Sequence, residues 1–115
     1  MSEVDCLFCR IVQRRLNADI VAETDGLVAV NDVNPQAPTH LLVIPKEHIP
    51  TLADATERHT ALLGETLQFA SRLARQQRLS AGYRVVINSG AQAGQSVFHL
   101  HVHLLGGRAM RWPPG

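Results

Sequence analysis

Three histidines near the end of the sequence have types and spacing that could do chemistry together. His99, His101 and His103 are separated by single apolar residues in the segment 97–105, which we predict to be a β-strand. Because side chains alternate across a strand, the three rings should share one face, with successive rings about 6.5 Å apart. Three imidazoles on an otherwise apolar strand fill a core poorly, which favours a functional role. The H-x-H spacing suits either a small phosphate-like group or a metal ion, and spacing alone does not separate the two.

The loop before this strand favours the phosphate. Gly94, Gln95 and Ser96 offer unobstructed backbone N–H groups and one hydroxyl. These donors suit phosphate oxygens better than they suit a metal ion.

Cys6 and Cys9 form a second candidate site. A C-x-x-C pair is too close for a useful structural disulfide, and in a reducing compartment it indicates metal or redox chemistry. The two thiolates have the spacing of a zinc knuckle, but a closed structural zinc site needs four ligands. A pair of free buried thiols is the alternative.

Apolar periodicity predicts the elements that position these residues in the first half of the chain. We predict a short amphipathic helix over residues 8–15 and a hairpin over 19–31 with a tight primed turn at Asp25-Gly26. A third strand should run from His40 to Ile44, and Pro45 helps to end it.

The second half of the chain begins with a helical pattern. A long helix is predicted over residues 54–79, with capping-box spacing between its first residue and Glu57, and with Gly82 as its terminator. His59 should lie on the exposed side of this helix. A strand over residues 83–88 and the histidine strand complete the chain.

The resulting order, α-β-β-β-α-β-β, predicts an α+β fold. We expect a five-stranded, mainly antiparallel sheet with one long helix across a face and a short N-terminal helix. A chain of 115 residues should form a single domain spanning 1–115, with a C-terminal tail at 108–115. The sequence contains no G-x-G-x-x-G or Walker motif, so we expect no organic cofactor.

Composition excludes several classes of function. Hydrophobic residues make up 45% of the chain and charged residues 18%, which excludes intrinsic disorder. A formal net charge of +1 gives no support to nucleic-acid binding. No apolar run approaches the roughly 20 residues needed to span a bilayer, and charges interrupt any signal-peptide core, so we expect a cytoplasmic protein without a membrane partner.

The segment from Gly94 to Arg108 resembles the H-φ-H-φ-H-φ-φ signature of the histidine triad (HIT) family, specifically its Hint branch of nucleoside phosphoramidases. The resemblance implies a HIT-like fold and hydrolysis of purine nucleoside phosphoramidates, such as adenosine 5′-monophosphoramidate, or of related aminoacyl adenylates. It also extends over Asp32 and over residues 35–40, 43–46, 82–84 and 112–115.

The resemblance implies a covalent reaction on histidine. His101 would be the nucleophile, because a neutral imidazole has one nitrogen lone pair that can attack phosphorus without an extra base. His40 and His103 would flank the α-phosphate and donate to its oxygens. The remaining phosphate contacts implied are the Ser96 hydroxyl, Asn88 and the backbone of Gly94, Gln95 and Ser96.

The nucleoside half of the substrate needs an apolar slot and a carboxylate. By resemblance, Asp32 would accept hydrogen bonds from both ribose hydroxyls. The residues implied around a purine are Phe8, Ile11, Leu16, Val30 and Val33.

The resemblance also implies a metal and a partner subunit. His48 and His99 would complete a structural zinc site with Cys6 and Cys9. The family's two-fold homodimer would bring Trp112 of the tail toward the leaving-group pocket of the partner subunit and would join two sheet edges.

Three other functions remain open at this point. A histidine at position 103 favours hydrolysis, and residues 106–108 with the Trp-Pro-Pro-Gly tail disfavour a diadenosine-polyphosphate hydrolase. A nucleotide-sensing binding module is not excluded. A catalytic zinc hydrolase built on the triad is the third alternative.

Overall fold

The computed structural model describes residues 5–115, and its elements form one antiparallel sheet with helices on both faces. The strands are arranged in the order β1-β2-β3-β5-β4, and every neighbouring pair is antiparallel. The predicted α+β fold, with five strands and one long helix, is confirmed. The elements are α1 (Leu7–Val12), β1 (Ile20–Glu23), β2 (Leu27–Asn31), β3 (Thr39–Pro45), α2 (Thr60–Gln76), β4 (Tyr83–Val86) and β5 (Val102–Gly106).

The central strands β2 and β3 are apolar on both faces, because each face is covered by a helix. One face packs against α2, and the opposite face packs against α1 and the N-terminal segment. Alternation along β3 sends Leu41 and Val43 to the α2 face and His40 and Leu42 to the α1 face. The register places His103 of β5 directly opposite Leu42. The α1 face therefore carries the histidines.

The histidine strand is shorter than predicted. β5 begins at Val102, so His99 and His101 precede the regular ladder, and all four residues from His99 to Val102 are buried. Continuing the β3–β5 register would place Pro45 opposite residue 100, and proline has no N–H to donate to a ladder. Leu100 instead donates its N–H to the carbonyl of Ile49, at 2.6 Å. The rings stay on one side, but their backbone is free to diverge from the sheet.

The ends of α2 differ from prediction on both sides. The helix begins at Thr60, after a 3-10 turn at Glu57–His59 whose N-cap is Thr56, and Asp54 takes no part in the cap. At its end, Arg78 adopts a left-handed φ of 60°, and the Leu79 N–H bonds to the Ala74 carbonyl at 3.0 Å. This six-residue closure ends the helix without glycine.

Four further local predictions are corrected. His59 is buried rather than exposed, and its Nε2 donates to the Glu47 carboxylate at 2.9 Å. The turn at Asp25-Gly26 is tight but not primed, since neither residue has a positive φ; the Thr24 hydroxyl accepts from the turn N–H groups instead. Gly82 lies after the helix, immediately before β4, and β4 ends two residues earlier than predicted.

Within the described residues, neither helix has both the length and the hydrophobicity that crossing a bilayer requires.

Candidate functional site

A cavity of about 390 Å³ opens between α1, β2 and the segment that carries the histidines. Its walls are mostly apolar, and its polar groups gather at the histidine end. It brings together nine of the residues predicted to bind nucleotide: Phe8, Ile11, Leu16, Val30, Asp32, Val33, Ser96, His101 and His103.

His101 lies in this cavity with one nitrogen committed and the other available. Its Nδ1 lies 2.8 Å from the His99 carbonyl, and because a carbonyl only accepts, Nδ1 carries the proton. In the neutral ring, Nε2 then holds a lone pair. Burial lowers the pKa of His101, so the neutral form dominates at pH 7, although the His99 carbonyl and Asp32 oppose this shift. The ring of Phe8 packs edge-on against it at 4.9 Å.

The next two histidines form a hydrogen-bonded pair. The Gln36 backbone N–H donates to His40 Nδ1 at 3.0 Å, so the proton of neutral His40 lies on Nε2. That Nε2 is 2.9 Å from His103 Nδ1, which must therefore accept. The proton of neutral His103 consequently lies on its Nε2. A single backbone amide thus sets the tautomer of two imidazoles in turn.

Both rings of this pair are neutral near pH 7. Burial lowers the pKa of His103 to about 4, with smaller contributions from His101 and His40. Burial also lowers the pKa of His40, and the Asp32 carboxylate, 3.4 Å from its Nε2, opposes that shift. The histidine end of the cavity therefore offers an uncharged N–H donor, Nε2 of His103, rather than a fixed cation.

A second cluster lies on the other side of Phe8. His99 and His48 face each other with their Nδ1 atoms 3.1 Å apart. Cys6 Sγ is 3.3 Å from His99 Nδ1, and Cys9 Sγ is 3.2 Å from His48 Nδ1. All four ligand atoms lie within 4.8 Å of one another. This cluster is composed of the four residues that the resemblance implies as metal ligands.

The donor set of this cluster fits a tetrahedral zinc ion. His99 Nε2 donates to the Pro45 carbonyl at 2.7 Å, so its Nδ1 lone pair points at the other ligand atoms. Donors about 2.0–2.3 Å from a tetrahedral ion lie roughly 3.3–3.8 Å from one another, close to the distances observed here. Without a cation, these lone pairs and sulfurs would face one another in the core. Burial lowers the pKa of His99 to about 4, which favours the neutral ring that a metal requires.

The metal cluster also organises α1. Cys6 is the N-cap of α1, and its Sγ accepts from the Cys9 N–H at 3.4 Å. Phe8, one turn along, contacts both His99 and His101 edge-on. The same short helix therefore supplies two metal ligands and one wall of the cavity.

Four predicted nucleotide contacts lie outside the walls of the cavity. His40 lies behind His103, and Asn88 lies against Gly94 beyond the walls. The side chain of Gln95 is buried and holds its own loop, accepting from the Gly90 N–H and donating to the carbonyls of Pro50 and Val97. The backbone N–H groups of Gly94 and Gln95, predicted to bind phosphate, instead donate within the loop to the carbonyls of Ala91 and Gly90, at 3.0 and 3.2 Å. Trp112 is 83% exposed and lies away from the cavity of its own chain.

Sequence reasoning missed several groups at the site. The Gln36 amide is a backbone group, so residue type gave no signal of its bond to His40. Asn31 donates to Asp19 at 2.6 Å on the cavity wall, and an Asx pair across a predicted hairpin could have indicated this contact. The further lining residues are Leu7, Asn17, Ala18, Leu42 and Val97.

The triad is thus divided between two sites. His99 belongs to the metal cluster, whereas His101 and His103 face the cavity. A single metal ion held by all three histidines would need His99 to leave either the Cys6–His48 cluster, which its Nδ1 faces, or the Pro45 carbonyl, to which its Nε2 donates. The geometry therefore disfavours a zinc hydrolase built on the triad.

Comparisons with known proteins agree with this geometry. Residues 13–110 match the HIT domain model. An uncharacterised HIT-like protein of Synechococcus elongatus is 54% identical over 115 residues, covering all of both chains. A 14 kDa zinc-binding protein of Zea mays is 50% identical over 111 residues, covering 95% of this chain and 87% of the relative.

Solved structures show the same fold. A HIT family hydrolase from Legionella pneumophila superposes with a TM-score of 0.95 at 49% identity, covering 96% of this chain and all of that one. A zinc-bound histidine triad family protein from Mycobacterium smegmatis superposes with a TM-score of 0.79 at 32% identity, covering 93% of this chain and 78% of that one. The chain belongs to the HIT domain family.

Proposed function

We propose that this protein hydrolyses purine nucleoside 5′-phosphoramidates, and related aminoacyl adenylates, through a covalent nucleotidyl–histidine intermediate. The observation that carries the proposal is the hydrogen bond from His101 Nδ1 to the His99 carbonyl. This bond leaves Nε2 of a neutral ring as a nucleophile inside a nucleotide-sized cavity. Similarity to proteins known as HIT family hydrolases supports hydrolysis in general.

In the first step, His101 Nε2 bonds to the α-phosphorus as the P–N bond breaks, and the departing nitrogen takes a proton from solvent and leaves as an amine; the water of the second step returns that proton to solvent. His101 keeps its Nδ1 proton, and the His99 carbonyl stabilises the positive charge that develops on the ring. The Nε2–H of His103 would donate to the phosphate, and His40 would support it from behind, because the Nε2–H of His40 is taken by His103 Nδ1. Ser96, on the cavity wall, is in range of the phosphate or the leaving nitrogen.

In the second step, water bonds to phosphorus as the Nε2–P bond breaks, and a nucleoside monophosphate leaves. The neutral state of the His40–His103 pair supports this sequence, because His103 can donate to a phosphate oxygen without holding the anionic product in a fixed ion pair.

The other walls of the cavity suit a nucleoside. Asp32 offers a carboxylate on the wall, and its Oδ1 is oriented by the Asn34 N–H at 2.8 Å. Phe8, Ile11 and Val30 are buried and present apolar surface to a base. Val33 is fully exposed at the rim, where a bound purine would cover it.

Zinc has a structural role in this proposal. Cys6, Cys9, His48 and His99 would hold it, and a zinc-binding relative and a zinc-bound family structure support the assignment. With four protein ligands, zinc would supply cross-linking of α1 to the histidine segment and no activated water.

The proposed homodimer would pair β4 with its symmetry mate. β4 is an outer strand of the sheet, and exposed Tyr83 and Val85 line a groove of about 880 Å³ that also includes residues 107–110. Pairing across this edge would cover its open N–H and C=O groups and would give exposed Trp112 a partner surface.

The test is to trap the intermediate. Protein is mixed with adenosine 5′-monophosphoramidate labelled in the phosphate, quenched in alkali within one turnover, and digested. We expect an acid-labile nucleotidyl adduct on the peptide that contains His101. Turnover without any adduct in the rapid-quench samples would refute covalent catalysis.

The matched control is the His101→Gln variant, which removes the nucleophile and leaves the other two triad histidines. We expect this variant to bind adenosine monophosphate and to form no adduct. If it instead turned over like the wild type, the nucleophile would be assigned wrongly. If the wild type bound nucleotide tightly but hydrolysed no phosphoramidate, the nucleotide-sensing alternative would replace this proposal.

A further inference from the structure

The loop between β2 and β3, residues 32–38, holds the His40–His103 pair in place through its backbone. It contains Asp32, it supplies the amide of Gln36 that sets the tautomer of His40, and it is closed by the Asp32 N–H, which donates to the His40 carbonyl at 3.0 Å. The loop is exposed at Asn34 and Gln36. Bonds within the loop, from the Asn34 N–H to Asp32 Oδ1 and from Gln36 Nε2 to the Asn34 carbonyl, hold part of it, and a further contact comes from outside.

The group that makes this contact is on the C-terminal tail. Arg108 follows β5, and its guanidinium donates twice to the Gln36 carbonyl, from Nε at 3.1 Å and from Nη2 at 3.0 Å. A third bond, from Nη1 to the carbonyl of Ala109 at 3.1 Å, fixes the guanidinium to its own backbone. The planar fork therefore holds the Gln36 residue from outside, while the N–H of that residue binds His40 inside.

A second contact joins the same two segments. Gly107 has a left-handed φ of 91°, and a Cβ at this position would come within 2.9 Å of Pro38. Only glycine allows the tail to approach the loop this closely. The loop is thus held against the tail at both Gln36 and Pro38.

We propose that Arg108 is a positioning residue for the reaction: by clamping Gln36, it keeps the backbone N–H on His40 Nδ1 and so fixes the proton positions of His40 and His103. This inference rests on the proposed function for its catalytic consequence. Arg108 contacts neither the cavity nor the triad, so its effect passes through the loop.

Loss of the hydrogen bond from Gln36 should change the tautomer of His40 first and that of His103 second. When the Gln36 N–H leaves His40, Nδ1 and Nε2 of that ring become alternative sites for its proton. A proton on His40 Nδ1 would leave two lone pairs facing each other between His40 Nε2 and His103 Nδ1, now 2.9 Å apart. His103 would then reorient or change tautomer, and its Nε2–H would no longer be held for the phosphate. His101 is anchored separately by the His99 carbonyl and should not change.

The experiment measures tautomers directly. Nitrogen-15 spectra of the histidine side chains are recorded at neutral pH for the zinc-loaded wild type and for Arg108→Ala, without substrate. In the wild type we expect protons on Nε2 of His40 and His103 and on Nδ1 of His101. In Arg108→Ala we expect the His40 and His103 signals to move toward a mixture of tautomers while the His101 signals stay in place.

Kinetics give the second readout. On adenosine 5′-monophosphoramidate, we expect Arg108→Ala to lower kcat by about three- to tenfold with KM within about twofold, because the lost interaction orients a donor and binds no substrate. Arg108→Lys should recover part of the loss, since an ammonium keeps the charge but not the two-pronged contact. Arg75→Ala is the matched control, because Arg75 is exposed on α2 and its side chain makes no hydrogen bond within residues 5–115.

A second variant removes the amide itself. Gln36→Pro deletes the N–H, whereas Gln36→Ala keeps it, so only the proline variant should reproduce the tautomer change. The inference is overturned if Arg108→Ala leaves the His40 and His103 spectra unchanged, whatever happens to stability. It is also overturned if the His101 signals move equally. These spectra need no turnover, so failure of the wild type to hydrolyse phosphoramidate would refute the proposed function and leave the positioning role measurable.

Discussion

Two pairs of histidine nitrogens face each other at nearly equal distance in this molecule, 3.1 Å between His48 and His99 and 2.9 Å between His40 and His103. A carboxylate accompanies one pair and two thiols accompany the other. Ligand count and spacing alone would describe both as metal sites.

The backbone group behind each pair separates them. The Pro45 carbonyl takes the Nε2 proton of His99, so the lone pair on Nδ1 turns inward and the cluster needs a cation. The Gln36 N–H occupies the Nδ1 lone pair of His40, so the inward Nε2 carries a proton and the pair is satisfied without a metal. A backbone carbonyl that accepts from the outer nitrogen of a histidine favours a metal site at the inner nitrogen. A backbone N–H that donates to the outer nitrogen favours a pair bridged by a proton.

The largest effect is expected at His101, which lies between the two pairs. Replacing it by alanine should lower kcat on adenosine 5′-monophosphoramidate by at least about 10³-fold, because the nucleophile is lost. Affinity for adenosine monophosphate should stay within about threefold, since Asp32 and the apolar wall remain. Single-turnover kinetics and calorimetric titration measure the two quantities. A variant that kept a tenth of the wild-type turnover would exclude a nucleophilic role for this ring.

Removing the metal from the cluster that contains His48 and His99 should give the second-largest effect. Cys9→Ser, treated with a chelator, should unfold more than about 10 °C below the zinc-loaded wild type, because the bound metal contributes to folding free energy. Cobalt substitution checks the assignment: the wild type should show a thiolate-to-cobalt absorption band at one ion per chain, and Cys9→Ser should weaken it. A second ion bound by His40 and His103 with comparable affinity would contradict the distinction between the pairs.

Removing the carboxylate beside the proton-bridged pair should have a moderate effect. Asp32→Asn should raise KM about tenfold for a ribonucleoside phosphoramidate and about twofold or less for its 2′-deoxy counterpart, which offers fewer hydroxyls to accept. Asp19→Asn is the control, because Asp19 also lies on the cavity wall and bonds to Asn31 instead. Equal losses on both substrates would indicate that Asp32 acts through its charge on the histidines rather than on the ribose.

The smallest expected effect is that of pH on the proton-bridged pair. The pKa of His103 is lowered to about 4, so between 6.5 and 4 the unfolded chain binds a proton that the folded protein does not. Neutral His103 therefore contributes stability that is complete above pH 6.5 and is lost as the pH falls toward 4. Urea unfolding at pH 7 and pH 5 should show a greater loss for wild type than for His103→Gln. An equal loss in both would mean that His103 is not buried as a neutral ring.

Much of the fold followed from residue pattern. Runs of β-branched and aliphatic residues predicted β2 and β3, and alternation placed His101 and His103 on one face, because both signals are local properties of the sequence. The spacing of Cys6 and Cys9 likewise indicated a metal before any contact was known. These features depend on residue type and sequence separation alone.

The errors share a different cause. The end of α2 at Arg78, the burial of His59 beside Glu47 and the bond from Gln36 to His40 all depend on backbone conformation or on distant chain segments. Backbone N–H and C=O groups are present at nearly every position, so the sequence cannot tell which of them faces a given ring. The sequence therefore predicts which histidines form the site, but it does not predict which ring nitrogen of each histidine carries the proton.

The helix α1 contributes residues to both the metal cluster and the cavity, and this has a thermodynamic consequence. Cys6 and Cys9 reach the metal cluster from this helix, and Phe8 between them reaches the nucleotide cavity. The free energy of ordering this one short segment therefore contributes to binding at both the metal cluster and the cavity. By linkage, whatever factor zinc adds to nucleotide affinity, nucleotide must add to zinc affinity. If zinc and nucleotide bind as proposed, removal of zinc should weaken nucleotide binding, and bound nucleotide should strengthen zinc binding.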